Sequence, residues 1–145
     1  MITIFVINSL VVTIAVTIHY EFLGILTRIL RNTNGPHRLR IIAGVLGAML
    51  AHTLEIWVFA LAYYWINSSG RLGALAGNFS GSLMDCAYFS FTVFTTLGFG
   101  DIRPTGPVRF LAGLESLTGL LLIAWTASFL YYEIKRFWDE KHSPH

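Results

Sequence analysis

Three long stretches of the chain are almost uninterrupted runs of apolar residues. They cover residues 2–30, 40–66 and 108–137. A helix rises 1.5 Å per residue, so about 20 residues cross a hydrocarbon core of about 30 Å. A fourth apolar stretch, residues 83–96, is too short to cross and fits a re-entrant helix whose end is surrounded by protein or by a water-filled cavity. The pattern predicts an all-α membrane protein with three transmembrane helices and one re-entrant helix.

The composition supports this class. Hydrophobic residues make up 54% of the 145 residues and charged residues 12%, and the mean hydropathy is +0.62. These values exclude a soluble fold and leave room for one domain. No basic residue precedes the first apolar stretch, which is far longer than the apolar core of a signal peptide. We therefore expect it to be retained as a transmembrane helix.

The basic residues are distributed unevenly between the loops. Seven of the ten lie at the end of the first apolar stretch, in the loop that follows it or near the C-terminus: Arg28, Arg31, Arg38, Arg40, Lys135, Arg136 and Lys141. Loops rich in Lys and Arg stay in the cytoplasm. The first loop and the C-terminus are therefore predicted to be cytoplasmic, with the N-terminus and the loop around residues 96–101 outside. We expect a plasma membrane or a bacterial inner membrane.

A short glycine-containing run, Thr95-Thr96-Leu97-Gly98-Phe99-Gly100-Asp101, separates the re-entrant helix from the last apolar stretch. Glycine has no Cβ, so glycines alternating with Leu97 and Phe99 allow successive carbonyl oxygens to turn the same way. Around an axis, four copies would stack these oxygens and the Thr96 hydroxyl into rings that replace the hydration shell of a cation. Together with residues 88–95 and the following helix, the run resembles the pore domain of the potassium-channel superfamily.

The resemblance covers roughly residues 41–137 and implies a homotetramer with a central pore in a lipid bilayer. It divides the chain into an extra N-terminal helix (1–31), a cytoplasmic loop (32–40), an outer helix (41–66), a turret (67–81), a pore helix (82–95), a filter (96–101), an inner helix (108–137) and a short tail (138–145). It implies a filter formed by Thr96, Leu97, Gly98, Phe99 and Gly100, with K⁺ bound at Thr96 to Phe99. We expect neither another cofactor nor a nucleic-acid partner.

Six residues are expected to support the filter: Tyr88, Phe89, Thr92, Thr95, Asp101 and Glu115. Phe99 replaces the more usual tyrosine, and Phe89 stands where the family often has a hydroxyl-bonding tryptophan. That link cannot form, so we expect apolar packing to hold the filter and the filter to be prone to collapse or inactivation. Thr92 stands where some members have a carboxylate, so its link to Asp101 would be weaker or water-mediated. Glu115 is expected to brace the pore helix from behind.

The last helix carries the candidate gating residues. Gly119 matches the hinge position of the family, where glycine lowers the cost of bending; close packing is the competing explanation. Ile123, Ala127 and Tyr131 recur every four residues and are expected to line the cavity and its exit, with Tyr131 as candidate constriction. The tail 138–145 is too short to hold a ligand-sensing domain.

Ionisable residues also occur within the first two apolar stretches. If these form an antiparallel hairpin, residues whose numbers sum to about 71 lie at equal depth, which pairs His19 with His52. Glu55 shares a helix face with His52. Buried ionisable groups need partners, so we expect a polar cluster of His19, His52 and Glu55. It either makes opening sensitive to pH or serves as a purely structural network.

The sequence thus predicts a potassium-selective channel that conducts passively. Two alternatives stay open: a weakly selective cation channel of the same fold, and a non-conducting subunit of a larger channel. An enzyme is not expected, because the histidines and acids are scattered over the helices without a metal-binding spacing such as His-Glu-x-x-His.

Overall fold

The computed structural model describes residues 2–32 and 37–142, which form four helices and two short strands. In chain order these are α1 (Ile2–Asn32), α2 (His37–Ser69), β1 (Ala74–Gly77), α3 (Leu83–Phe94), β2 (Ile102–Thr105) and α4 (Val108–His142). Helices α1, α2 and α4 are each long and apolar enough to cross a membrane. The prediction of an all-α membrane protein with three such helices is therefore confirmed.

Helices α2 and α4 are longer than the sequence indicated. Helix α2 begins at His37 and includes the last part of the predicted loop 32–40, whose residues 33–36 lie outside the described residues. Gly35 and Pro36, which disfavour a helix, immediately precede His37, and the residues directly after them allow one. Helix α4 continues to His142, and residues 143–145 of the predicted tail lie outside the described part of the chain.

Helix α1 packs against α2 and α4 through one face. Its buried residues follow one another at intervals of three or four, the spacing of a single helix face: Ile4, Asn8, Val11, Ala15, His19, Leu23, Leu26 and Leu30. Small residues of α2 allow the close approach, since a Cβ on Gly47 would lie 2.8 Å from the Leu26 side chain. The extra N-terminal helix is thus an integral part of the helix packing.

Helix α3 lies between α2 and α4 and has twelve residues, or about 18 Å of helix. Ser82 caps its start by accepting a hydrogen bond from the Asp85 N–H at 3.0 Å. The Asp85 carboxylate accepts the Ser80 N–H at 2.7 Å and the Ser80 hydroxyl, and these bonds hold the pKa of Asp85 below its usual value. The Tyr63 ring of α2 meets the Phe89 ring of α3 edge-on at 5.0 Å. This packing fixes the position of α3.

A two-stranded antiparallel sheet was not predicted from the sequence. It pairs β1 with β2, with Ala74 opposite Thr105 and Gly77 opposite Ile102. The sheet ties the segment before α3 to the segment that directly follows residues 96–101. Gly77 has a φ of +104°, and a Cβ there would overlap the Asp101 carbonyl oxygen. Only glycine allows this close approach.

We predict that Gly77→Ala destabilises the protein more than Gly81→Ala. Both glycines have positive φ, so each substitution carries a left-handed backbone cost of about 1–2 kcal/mol. A Cβ at Gly81 meets open space, whereas one at Gly77 displaces the Asp101 backbone, an overpacking cost of about another 1–3 kcal/mol. Thermal unfolding of the two variants in detergent measures the difference. Equal losses of stability would contradict the role given to this contact.

Candidate functional site

The predicted filter segment, residues 96–100, follows the C-terminal end of α3 directly and has no regular secondary structure. Two of its N–H groups are bound by α3. The Thr96 N–H donates to the Val93 carbonyl oxygen at 2.9 Å, and the Gly98 N–H donates to the Thr92 carbonyl oxygen at 3.1 Å. The first half of the segment is thereby fixed to the helix that precedes it.

The backbone of this segment alternates between left-handed and other conformations. The φ angle is +60° at Thr96, +55° at Gly98 and +80° at Gly100, while Leu97 and Phe99 between them do not have positive φ. A positive φ is rare for a β-branched residue such as threonine, and backbone strain of this kind is concentrated at functional sites. The alternation allows successive carbonyl oxygens to turn to one side instead of to opposite sides.

The side chains of the segment are exposed in the single chain, Leu97 by 59% and Phe99 by 65%. The Phe99 ring stacks on the Tyr88 ring of α3, with centroids 6.5 Å apart and planes 14° from parallel. The Asp101 carboxylate interacts with the Tyr88 hydroxyl and raises the pKa of Tyr88. Tyr88 therefore contacts Phe99 through its ring and Asp101 through its hydroxyl, and the expectation that apolar packing holds the filter stays a prediction.

The other predicted supports make local contacts. Phe89 is buried against Tyr63, as described above. The Thr92 hydroxyl donates to the Phe89 carbonyl oxygen at 2.8 Å, and the Thr95 hydroxyl donates to the Phe91 carbonyl oxygen at 2.7 Å. Both threonine hydroxyls therefore bond within α3, and Thr92 reaches the predicted filter segment through its backbone.

Glu115 of α4 is fully buried, and its hydrogen bonds join three helices. Its carboxylate accepts hydrogen bonds from the Ser90 hydroxyl of α3 and the Tyr63 hydroxyl of α2. The Ser90 oxygen also lies 2.9 Å from the Ile56 carbonyl oxygen. The sequence identifies neither Ser90 nor Tyr63 as a partner of Glu115, because its only signal is that a buried acid requires hydroxyl or basic partners.

Gly119 of α4 packs directly against the end of α3. A Cβ on Gly119 would overlap the Phe94 carbonyl oxygen and would lie 3.0 Å from the Phe94 ring. Helix α4 continues through this position without interruption. Close packing therefore has direct structural support, and the hinge stays a prediction.

The predicted cavity residues share one face of α4. Ile123, Ala127 and Tyr131 are all exposed in the single chain, Tyr131 by 69%. Residues four apart lie above one another on a helix, so the three form one stripe. The stripe begins one turn after Gly119, on the part of α4 that extends toward the C-terminus.

The structure brings His19, His52 and Glu55 together, and we call these three residues the histidine–glutamate cluster. His19 Nδ1 lies 2.8 Å from Glu55 Oε1, and His52 Nδ1 lies 2.9 Å from Glu55 Oε2. His19 and Glu55 are fully buried. One nitrogen or oxygen atom from each of the three side chains lies within 4.8 Å of the other two, near enough for all three to bind a metal ion. The two His–Glu55 contacts, however, have the length of hydrogen bonds.

Residues of two further helices complete the surroundings of the cluster. His52 Nε2 lies 3.1 Å from the Thr126 hydroxyl of α4, a contact that the sequence did not reveal. The Trp125 ring lies 5.2 Å from the His19 ring, and the Phe94 ring of α3 lies 5.8 Å from the His52 ring. The cluster therefore contacts all four helices of the described chain.

Among known proteins, a family model described as "Ion channel" matches residues 51–135, more than half of the chain. The inward rectifier potassium channel Kirbac3.1 of Paramagnetospirillum magnetotacticum is 39% identical over 57 residues, which cover 39% of this chain and 19% of that protein. The match thus spans less than a fifth of the relative's length. No solved structure matches the chain at a significant level.

We predict that Glu115→Leu lowers the free energy of unfolding by about 2 kcal/mol or more, because it leaves the buried Tyr63 hydroxyl without its acceptor and removes one of the two acceptors beside Ser90. Thermal unfolding in detergent measures the loss. Adding Tyr63→Phe removes the stranded hydroxyl, so the double variant should be more stable than the sum of the two single losses implies. Strictly additive losses would show that Tyr63 and Glu115 are not coupled.

We also predict opposite effects for two glycine substitutions in α4. Gly119→Ala should lower stability by about 1–3 kcal/mol, because the new methyl group overlaps the end of α3. Gly113→Ala should be neutral or stabilising by up to about 1 kcal/mol, because its Cβ meets open space and alanine favours the helix. Unfolding curves of both variants test this. If both behave alike, packing is not why residue 119 is a glycine.

Proposed function

This chain belongs to the ion-channel family, and from that premise we propose that it forms a potassium-selective pore from four copies of itself. One observation carries the proposal: the alternating backbone of residues 96–100, with positive φ at Thr96, Gly98 and Gly100. In this conformation carbonyl oxygens can form a ladder on one side of the strand. Such a ladder replaces the water around a dehydrated K⁺ ion.

The proposed tetramer follows from the number of ligands. A single chain supplies one ladder, and a ring of oxygens around an ion requires several chains related by rotation about the ion path. The exposed side chains of Leu97 and Phe99 support this assembly, because large apolar groups beside a pore need a protein surface to cover them. In the tetramer they face away from the axis, toward the neighbouring subunit.

The ion path below the filter is proposed to use α3 and α4. The carbonyl end of a helix carries partial negative charge, so the C-terminal end of α3 stabilises a cation waiting below the filter. The stripe of Ile123, Ala127 and Tyr131 then lines the cavity and its exit. The basic residues near both ends of the first loop and at the end of α4 support an exit on the cytoplasmic side and a filter on the outer side.

Potassium is the proposed ion for two reasons. The sequence Thr-Leu-Gly-Phe-Gly has the pattern of potassium-channel filters, and the partly matched relative is described as a potassium channel. Selectivity comes from backbone oxygens, so the phenylalanine at position 99 leaves it intact. Conduction is passive, with K⁺ moving between successive oxygen rings.

The test is reconstitution of the purified chain in planar bilayers with mixed K⁺ and Na⁺. We expect currents whose reversal potential follows the K⁺ gradient. Gly98→Ala should abolish them, because alanine resists the positive φ at this position. The matched control Gly113→Ala, whose Cβ meets open space, should conduct like the parent.

Three results would overturn the proposal. A reversal potential that does not distinguish K⁺ from Na⁺ would indicate a weakly selective cation channel. Purified tetramers that carry no current, or a chain that stays monomeric in detergent, would indicate a non-conducting subunit of a larger channel.

A further inference from the structure

The histidine–glutamate cluster lies where all four helices meet, so its charge bears on how they pack. Glu55 is fully buried, and each of its carboxylate oxygens contacts one imidazole nitrogen. An ionised carboxylate only accepts hydrogen bonds, so Nδ1 of both His19 and His52 must carry a proton. If the two imidazoles are otherwise neutral, the cluster has a net charge of −1. A charge buried in a membrane protein is costly unless it is compensated.

One additional proton makes the cluster neutral, and the structure indicates where it binds. Both Nδ1 atoms are already protonated, so it must bind to an Nε2 atom. His19 Nε2 is buried and has no hydrogen-bond partner in the described part of the chain. His52 Nε2 lies 3.1 Å from the Thr126 hydroxyl, which can accept a hydrogen bond. An N–H group on His19 would be unsatisfied, so the proton binds to His52.

This result does not depend on how the other protons are shared. If one moves from His52 Nδ1 to the Glu55 carboxylate, the cluster stays neutral and His52 still carries its Nε2 proton. A doubly charged metal ion fits less well, because Glu55 would compensate only one of its two charges. The contacts of 2.8 and 2.9 Å also match shared protons better than two ligands of one ion.

The groups that face His52 come from each helix packed around it. Its own helix α2 presents Glu55, and α1 presents His19. Helix α4 presents the Thr126 hydroxyl, and α3 presents the Phe94 ring. Of these four, Glu55 and His19 are the titratable ones. When His52 loses its proton, Thr126 changes from acceptor to donor and the cluster keeps an uncompensated negative charge.

We propose that His52 is a proton switch: when it is protonated, the neutral cluster holds α1, α2, α4 and the end of α3 in the arrangement described here, and proton loss weakens this arrangement. Its effect on conduction rests on the proposed function. The direction of the pH dependence follows from the charge of the cluster, which is neutral when His52 is protonated and −1 when it is not. The stabilisation is present at low pH and is lost as pH rises.

The first test measures unfolding of the full chain in detergent between pH 5.5 and 8.5, with EDTA present. One linked proton changes the unfolding equilibrium constant by up to about tenfold per pH unit. The parent should therefore lose stability as pH rises. His52→Gln keeps hydrogen-bonding atoms but cannot titrate, so its stability should not show this loss as pH rises. Glu21→Gln, an exposed acid on α1, should behave like the parent.

A second variant, Thr126→Val, tests the proposal independently in case His52→Gln does not fold. Thr126→Val removes the acceptor for the Nε2 proton, so the midpoint of the pH response should move to lower pH. A merely structural threonine would change stability at every pH without moving this midpoint. The proposal is wrong if the parent and His52→Gln change in parallel, or if His19→Gln removes the pH response while His52→Gln keeps it.

Flux measurements connect the switch to the pore. In liposomes, K⁺ flux through the parent should titrate over the same pH range, and flux through His52→Gln should not. A parent response that follows added Zn²⁺ and disappears with EDTA would show a metal site and overturn the proposal. Unfolding that titrates in a chain that never conducts would refute the proposed function and leave the switch standing.

Discussion

A polypeptide that leaves the helical conformation inside a membrane must find partners for its backbone polar groups, because lipid offers none. In the segment after α3, two of the backbone N–H groups have such partners. The N–H groups of Thr96 and Gly98 bond to carbonyl oxygens of the helix that they have just left. The alternating backbone conformation allows the remaining carbonyl oxygens to turn to one side. In the proposed pore these oxygens are the acceptors for a cation, and the contacts around the segment hold it in place.

Two buried acids provide much of that support. Glu115 joins α4 to hydroxyl groups of α2 and α3. Glu55 joins α2 to α1 directly and to α4 through His52 and Thr126. Burial of apolar surface does not drive helices together in lipid, so hydrogen bonds and close packing determine their register. Each acid therefore fixes three helices at one depth.

The sequence predicts the long-range order of this fold better than its local contacts. The three long helices follow from hydropathy alone, and depth matching in an antiparallel hairpin predicts that His19 and His52 lie at the same level. The sheet was missed because each strand has four residues and β2 contains a proline, so no alternating pattern can be recognised. The Tyr88 link, Ser90 and Thr126 were missed because a hydroxyl on an apolar helix does not reveal which way it faces.

Phe94 connects the two buried acids to the predicted filter segment. It is the last residue of α3, two positions before Thr96. Gly119 packs against its carbonyl oxygen, and its ring lies between those of His52 and Phe59, at 5.8 and 6.4 Å. A packed interior has discrete arrangements and does not deform continuously. A shift of His52 therefore either leaves Phe94 in place or moves it to another packing position, and Thr96 follows because its N–H is bonded to α3. Helix α1 is linked to the predicted filter segment by this route, because His19 contacts Glu55, Glu55 contacts His52, and the His52 ring lies beside Phe94.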